Sequence, residues 1–128
     1  MDGNQPDYDH IFTELLEGHI PDSTPGTDPE AYAKVLIEAI RVHEDRMHEA
    51  DEEISFCQNL LSWYQSYIDD ELSQGEEPWD DFQMYADQMP DEIAFHSERF
   101  LAARSMKESC ESELLSLLDT YPGLKERV

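Results

Sequence analysis

PEAYAKVLIEAIRVHEDRMHEADEEISFCQNLLSWYQSYIDDEL, residues 29–72, is the stretch that decides the fold. Within it Leu36, Ile40, His43, Met47, Ala50, Ile54, Cys57, Leu61, Tyr64 and Ile68 follow one another in alternating steps of four and three. That spacing keeps one side chain per turn on a single line of an α-helix. Sustained for more than four heptads, it predicts one long helix with a seam for a partner. At 1.5 Å per residue such a helix is about 65 Å long. A second stripe flanks the seam at both ends, Tyr32, Val35, Ala39 and Val42, then Phe56, Leu60, Trp63 and Tyr67, with Arg46, Glu49 and Glu53 between. Both ends are therefore expected to pack on two sides and the middle on one.

The flanking segments read as further helices. Tyr8, Ile11, Phe12, Leu15 and Leu16 form an apolar stripe over 7–18, and Gly18 is a natural stop. Residues 19–29 hold three of the seven prolines and read as a loop. Thr27 or Asp28 is the expected cap of the long helix, with Pro29 in its first turn. Beyond it, SQGEEP (73–78) breaks the pattern. A short helix is expected over 79–88 with Trp79, Phe82 and Tyr85 inward, and Pro90 is expected to end it. A second long helix follows over about 91–120, seamed by Ile93, His96, Phe100, Ala103, Cys110, Leu114, Leu117 and Tyr121. The fold class is all-α: one acidic domain over 1–128, built on the heptad-patterned helix, an antiparallel long partner and two short braces. The one-sided middle of the seam leaves room for a second copy, so a homodimer is among the expected assemblies.

The chain carries 31 acidic and eight basic residues, a net charge of −23. Aromatic residues at 10% and apolar residues at 39%, recurring at helical spacing, mark a folded protein rather than a disordered acidic one. Nucleic acid and anionic membranes would be repelled, which favours a basic partner surface. Cys57 and Cys110 fall in apolar patterns and read as buried thiols of a reducing compartment. The opening residues MDGNQPDYDH lack the segments of a signal peptide, and no run is long and apolar enough to span a membrane. A cytoplasmic protein is the expectation.

From Met47 to Ser97 there is no lysine or arginine, and there are fourteen aspartates and glutamates. Asp69, Asp70, Glu71, Glu76, Glu77, Asp80 and Asp81 form the denser patch, with Trp79 set among them as an apolar anchor beside Phe82 and Tyr85. Glu49, Asp51, Glu52 and Glu53 form a second. Duplex DNA carries about one charge per 1.7 Å, so about 24 phosphates occupy roughly 12 base pairs. The acidic residues are accordingly expected to imitate a phosphate backbone and to occupy the basic groove of a DNA- or RNA-binding protein. The plainer explanation is a solvated face kept acidic for solubility.

Other chemistry has little footing. HEDRMHE (43–49) loosely resembles the helices of ferritin-like di-metal proteins, whose pattern is Glu-x-x-His on facing helices. This chain offers Asp45-x-x-His48 and Glu92-x-x-x-His96 but no Glu-x-x-His. His43 and His96 lie on seams and read as hydrogen-bonded core histidines. No phosphate loop, CxxC, HExxH or GxSxG motif occurs. No enzyme activity, metal or cofactor is expected. Trp63, Tyr64 and Tyr67 read as core packing, and Arg99, Arg104 and Lys107 as ion-pair partners of neighbours such as Glu98, Glu108 and Glu111.

In size and charge the chain resembles small acidic proteins of phages and mobile elements that block restriction or CRISPR nucleases by imitating DNA. No individual residue is matched, so none carries over a role. The likeness implies a phage-encoded inhibitor acting in a host cytoplasm. The alternative is a structural or adaptor protein pairing through its heptad seam, with acidity only for solubility. A ferritin-like metal protein ranks below both.

Overall fold

The computed structural model describes residues 7–21 and 28–128. Three α-helices carry the fold: α1 (Tyr8–Leu16), α2 (Pro29–Ser73) and α3 (Asp80–Thr120), followed by a 3-10 turn at Pro122–Glu126. The two long helices pack against each other and no strand occurs among the described residues. Asp28 caps α2, its Oδ1 accepting the Ala31 N–H at 3.2 Å. The other expected cap, Thr27, and most of the proline-rich segment lie outside the described residues.

The seam of α2 is as the spacing predicts, with every one of its ten positions buried or half-buried. The expectation of two helices separated at Pro90 is overturned: α3 runs unbroken through that residue. The heptad register explains this, because Phe82, Ala86, Met89 and Ile93 carry the seam of α3 across Pro90 in steps of four, three and four. Pro90 itself is exposed, so its ring faces solvent. An interior proline costs about 3 kcal/mol. Several apolar side chains removed from water at about 1–2 kcal/mol each offset that.

The packing divides into two compact units, one of residues 1–46 and 102–128, the other of residues 47–101. In the first, α1 lies against the start of α2 and the end of α3. Its core is Ile11, Leu15, Tyr32, Ala33, Leu36, Ala39, Cys110, Leu117 and Leu124. Here the second stripe is covered as expected. Contacts Tyr32–Glu113 and Glu44–Lys107 make α2 and α3 antiparallel, numbers rising on one helix as they fall on the other. The end of α1 is closed by backbone bonds from His19 to Glu14 and from Gly18 to Leu15, with Gly18 at φ +90°. From α2, the buried His43 donates Nε2–H to the Leu15 carbonyl at 3.1 Å, and Arg46 donates to Leu16 at 3.0 Å. Both reach carbonyls of the last turn of α1, and the arginine also suits the negative end of its dipole.

In the second unit, α2 and α3 are joined by residues 74–79 and are again antiparallel, Tyr64 meeting Phe82 and Tyr85. Among the described residues no separate short helix covers a second side, so the expectation of two-sided packing fails here. Phe56 is 59% exposed and Trp63 54%. Trp79 and Tyr85 also face outward, leaving Phe82 alone of that trio half-buried. Tyr121, expected on the seam in the first unit, is exposed because α3 has already ended.

Candidate functional site

Residues 47–101 hold fifteen acidic side chains and one base, Arg99, a formal charge of −14. The other unit's sixteen acids and seven bases give −9, and the two make up the total of −23. Arg99 donates to His96 Nδ1 at 2.8 Å rather than to Glu98 as expected. Among the described residues, no lysine or arginine lies within ion-pair distance of any predicted site carboxylate. Glu52 alone of them lies within that distance of a histidine, His48 at 2.8 Å.

The denser patch assembles where α2 turns into α3. Gly75, at φ +78°, ends α2 in a left-handed cap in which Glu76 N–H reaches the Glu71 carbonyl at 2.9 Å and Gly75 N–H reaches Leu72 at 3.1 Å. The cap folds Glu76 back over Glu71. Their carboxyls share a hydrogen bond that, with some desolvation and the Asp70 charge, holds Glu71 above the ordinary carboxylate range. Asp69, Asp70, Glu76, Glu77, Trp79, Asp80 and Asp81 are all exposed, and Glu71 half-buried.

These acids differ in their local standing. Asp80 and Asp81 occupy the first turn of α3, where the positive end of the helix dipole favours them. Asp69, Asp70 and Glu71 crowd the last turn of α2, which contains no basic residue. There the dipole is negative and the carboxylates oppose it.

The second patch lies apart from the first. Glu53 and Asp69 are sixteen residues apart on α2, about 24 Å along the axis. Glu49, Glu52 and Glu53 fall within about 100° of arc, whereas Asp51 points to the other flank, at least about 100° from each. All four are exposed.

Between the patches runs the surface that the spacing of α2 assigned to the core. Phe56, Leu60, Trp63 and Tyr67 share one face, and Trp63, Tyr67 and Trp79 gather on Phe82 with ring centres 5.6, 4.7 and 5.4 Å away. Tyr64 packs on the same hub at 5.6 Å and is half-buried, as is Tyr67, so core packing describes them but not Trp63. The available signal was the unbroken α3 register through Met89 and Ile93, which removes the helix that would have covered this face.

Other candidates reduce to structure. Arg104 pairs with Glu108 and Lys107 with Glu111, the local partnerships expected of them, and Lys107 also reaches across to Glu44 on α2. His43 is a fully buried histidine bonded to backbone. His96 lies 3.9 Å from Glu92 and His48 sits on Glu52, so neither ferritin-like pattern gathers a ligand set. Among the described residues, Glu14, Glu17 and His19 are the one trio close enough to share a metal ion; they are not fully buried, and His19 Nδ1 is bonded to Glu14 at 2.7 Å. Both cysteines are free and buried, and burial raises both thiols, Cys110 to about 11, which suits packing rather than nucleophilic chemistry. The α2 seam that a helix-pairing adaptor would offer is filled by α3. No helix among the described residues is long and apolar enough to cross a membrane. No protein-family model, curated protein or solved structure matches the chain.

Proposed function

We propose that this is a non-enzymatic interaction protein whose acidic turn between α2 and α3 occupies the basic, nucleic-acid-binding groove of another protein and excludes DNA or RNA from it. The observation that carries this reading is the placement of Asp69, Asp70 and Glu71 at the negative end of α2, with Glu76 folded onto Glu71 and, among the described residues, no lysine or arginine within ion-pair distance. Acidity needed only for solubility is served equally well at neutral sites. At this site it opposes the helix dipole and its own neighbours, a cost that a cationic partner would relieve. A DNA-cleaving defence protein met in a cytoplasm is the target class in keeping with the chain's size and charge. Neither nucleic acid nor an anionic membrane is a direct partner in this reading.

Substituting Asp69, Asp70, Glu76 and Glu77 with lysine changes the charge of residues 47–101 from −14 to −6, since each reversal adds two. The immobilised protein is expected to retain nucleic-acid-binding proteins from lysate and to release them steeply as salt rises from about 0.05 M to 0.3 M. The quadruple variant is expected to retain none, with its circular dichroism unchanged. Unaltered retention by that variant, or retention indifferent to salt, would falsify the proposal.

A further inference from the structure

Resting on that reading, we propose that the aromatic surface around Phe82 recognises arginine side chains, so that the partner's contact surface is arginine-bearing rather than lysine-bearing. Trp63 and Trp79 are 54% and 63% exposed, each edge-on to Phe82. Trp63 also stacks on Tyr67 at 6.0 Å with the ring planes 18° apart. The rings hold one another in place, so little side-chain freedom remains to be lost when a partner arrives. Asp70 and Glu71 lie three and four residues beyond Tyr67, one turn along the same helical face. The surface thus presents aromatic rings with carboxylates that lack a cation one turn further along the same helix.

The alternatives fit this combination poorly. A second copy would bring another −14 against the first, a repulsion that opposes pairing. A neutral apolar segment would cover the rings but strip water from carboxylates and leave them without partners. A lysine answers the charge, but its ammonium is compact and strongly hydrated. The guanidinium group is planar and weakly hydrated, stacks on aromatic rings, and donates two parallel hydrogen bonds to a carboxylate. It satisfies both halves of the surface at once.

The chain has two tryptophans, and both belong to this cluster. Tryptophan emission, excited beyond tyrosine absorption, therefore reports on the proposed surface. Titration with oligo-arginine and oligo-lysine peptides of equal length is expected to give affinity about tenfold tighter for arginine, with a change in tryptophan emission. Trp63→Leu and Trp79→Leu, each leaving the other indole as reporter, are expected to reduce that preference to about twofold or less while lysine affinity stays put. Exposed positions tolerate these changes, and circular dichroism checks the fold. Equal affinity for the two peptides, or a preference that survives both substitutions, overturns the inference and leaves the acidic reading standing. Binding of neither peptide overturns both. A dimer in sedimentation, abolished by either substitution, would assign the surface to a second copy and overturn the inference.

Discussion

Replacing His43 with leucine tests how the histidine buried between α1 and α2 contributes to stability. Its Nε2–H donates to the Leu15 carbonyl, while Nδ1 is buried without a partner. Losing the hydrogen bond costs about 0.5–1.5 kcal/mol, because the Leu15 oxygen keeps the Gly18 N–H at 3.1 Å. Removing the unpartnered nitrogen returns about 1–3 kcal/mol of desolvation cost. At neutral pH the variant is thus expected to lie between about 0.5 kcal/mol less stable and about 2.5 kcal/mol more stable. Deleting an ordinary core side chain costs about 2–5 kcal/mol instead.

The pH dependence is sharper. Burial lowers the His43 pKa below its ordinary 6.5; the bond to Leu15 opposes the shift and the Arg46 charge adds to it. Below pH 6.5 the unfolded chain takes up a proton that the folded chain refuses. Stability conferred by the neutral ring is therefore complete above that value and is lost as pH falls toward the folded pKa. The slope reaches about 1.4 kcal/mol per pH unit. As pH falls below about 6.5 the wild type is expected to lose stability, and hence Tm, relative to the variant. The comparison with the variant subtracts every group that the substitution leaves in place. Thermal unfolding followed by circular dichroism reads the difference. Parallel pH profiles, or a loss above about 2 kcal/mol at neutral pH, would refute the reasoning.

Pro90→Ala restores an N–H to the Ala86 carbonyl and is expected to stabilise the protein by about 1–3 kcal/mol with helicity unchanged or higher. A fall in helicity or in urea midpoint would mean that the proline ends a helix after all. Gly75→Ala meets nothing within 4 Å and carries only the strain of its φ, about 1 kcal/mol. Gly18→Ala adds a Cβ 3.3 Å from Met106 Cγ and is expected to cost more. The reverse order in urea denaturation would contradict the packing at the end of α1. Iodoacetamide at about pH 8 is expected to leave both cysteines unmodified in the folded protein and to label both in denaturant. Rapid labelling of native Cys110 would show that its thiol is neither buried nor raised to about 11.

Helix existence, the α2 seam from Leu36 to Ile68, the caps at Asp28 and Gly18 and the missing cations of residues 47–98 were all legible in the amino-acid order. Each depends on residues within a turn or two of one another, and a 3.6-residue repeat converts such spacing directly into a face. The fate of a face depends on what is free to cover it. Pro90 reads locally as a boundary, yet the burial of Phe82, Ala86 and Met89 along α2 outweighs its local penalty and keeps α3 whole. With α3 whole, no helix among the described residues covers Phe56 and Trp63, and part of a stripe that reads as core becomes exposed surface. The acidic clusters behave likewise: their charge is written in the chain, but the left-handed cap at Gly75 folds Glu76 onto Glu71, and the turn between the helices gathers the rings on Phe82. Sequence alone determined the helical class, the α2 seam and the charge, because those follow from composition and local periodicity. Only the tertiary structure decided which faces stay open to a partner, because burial is a competition among all the elements of the chain.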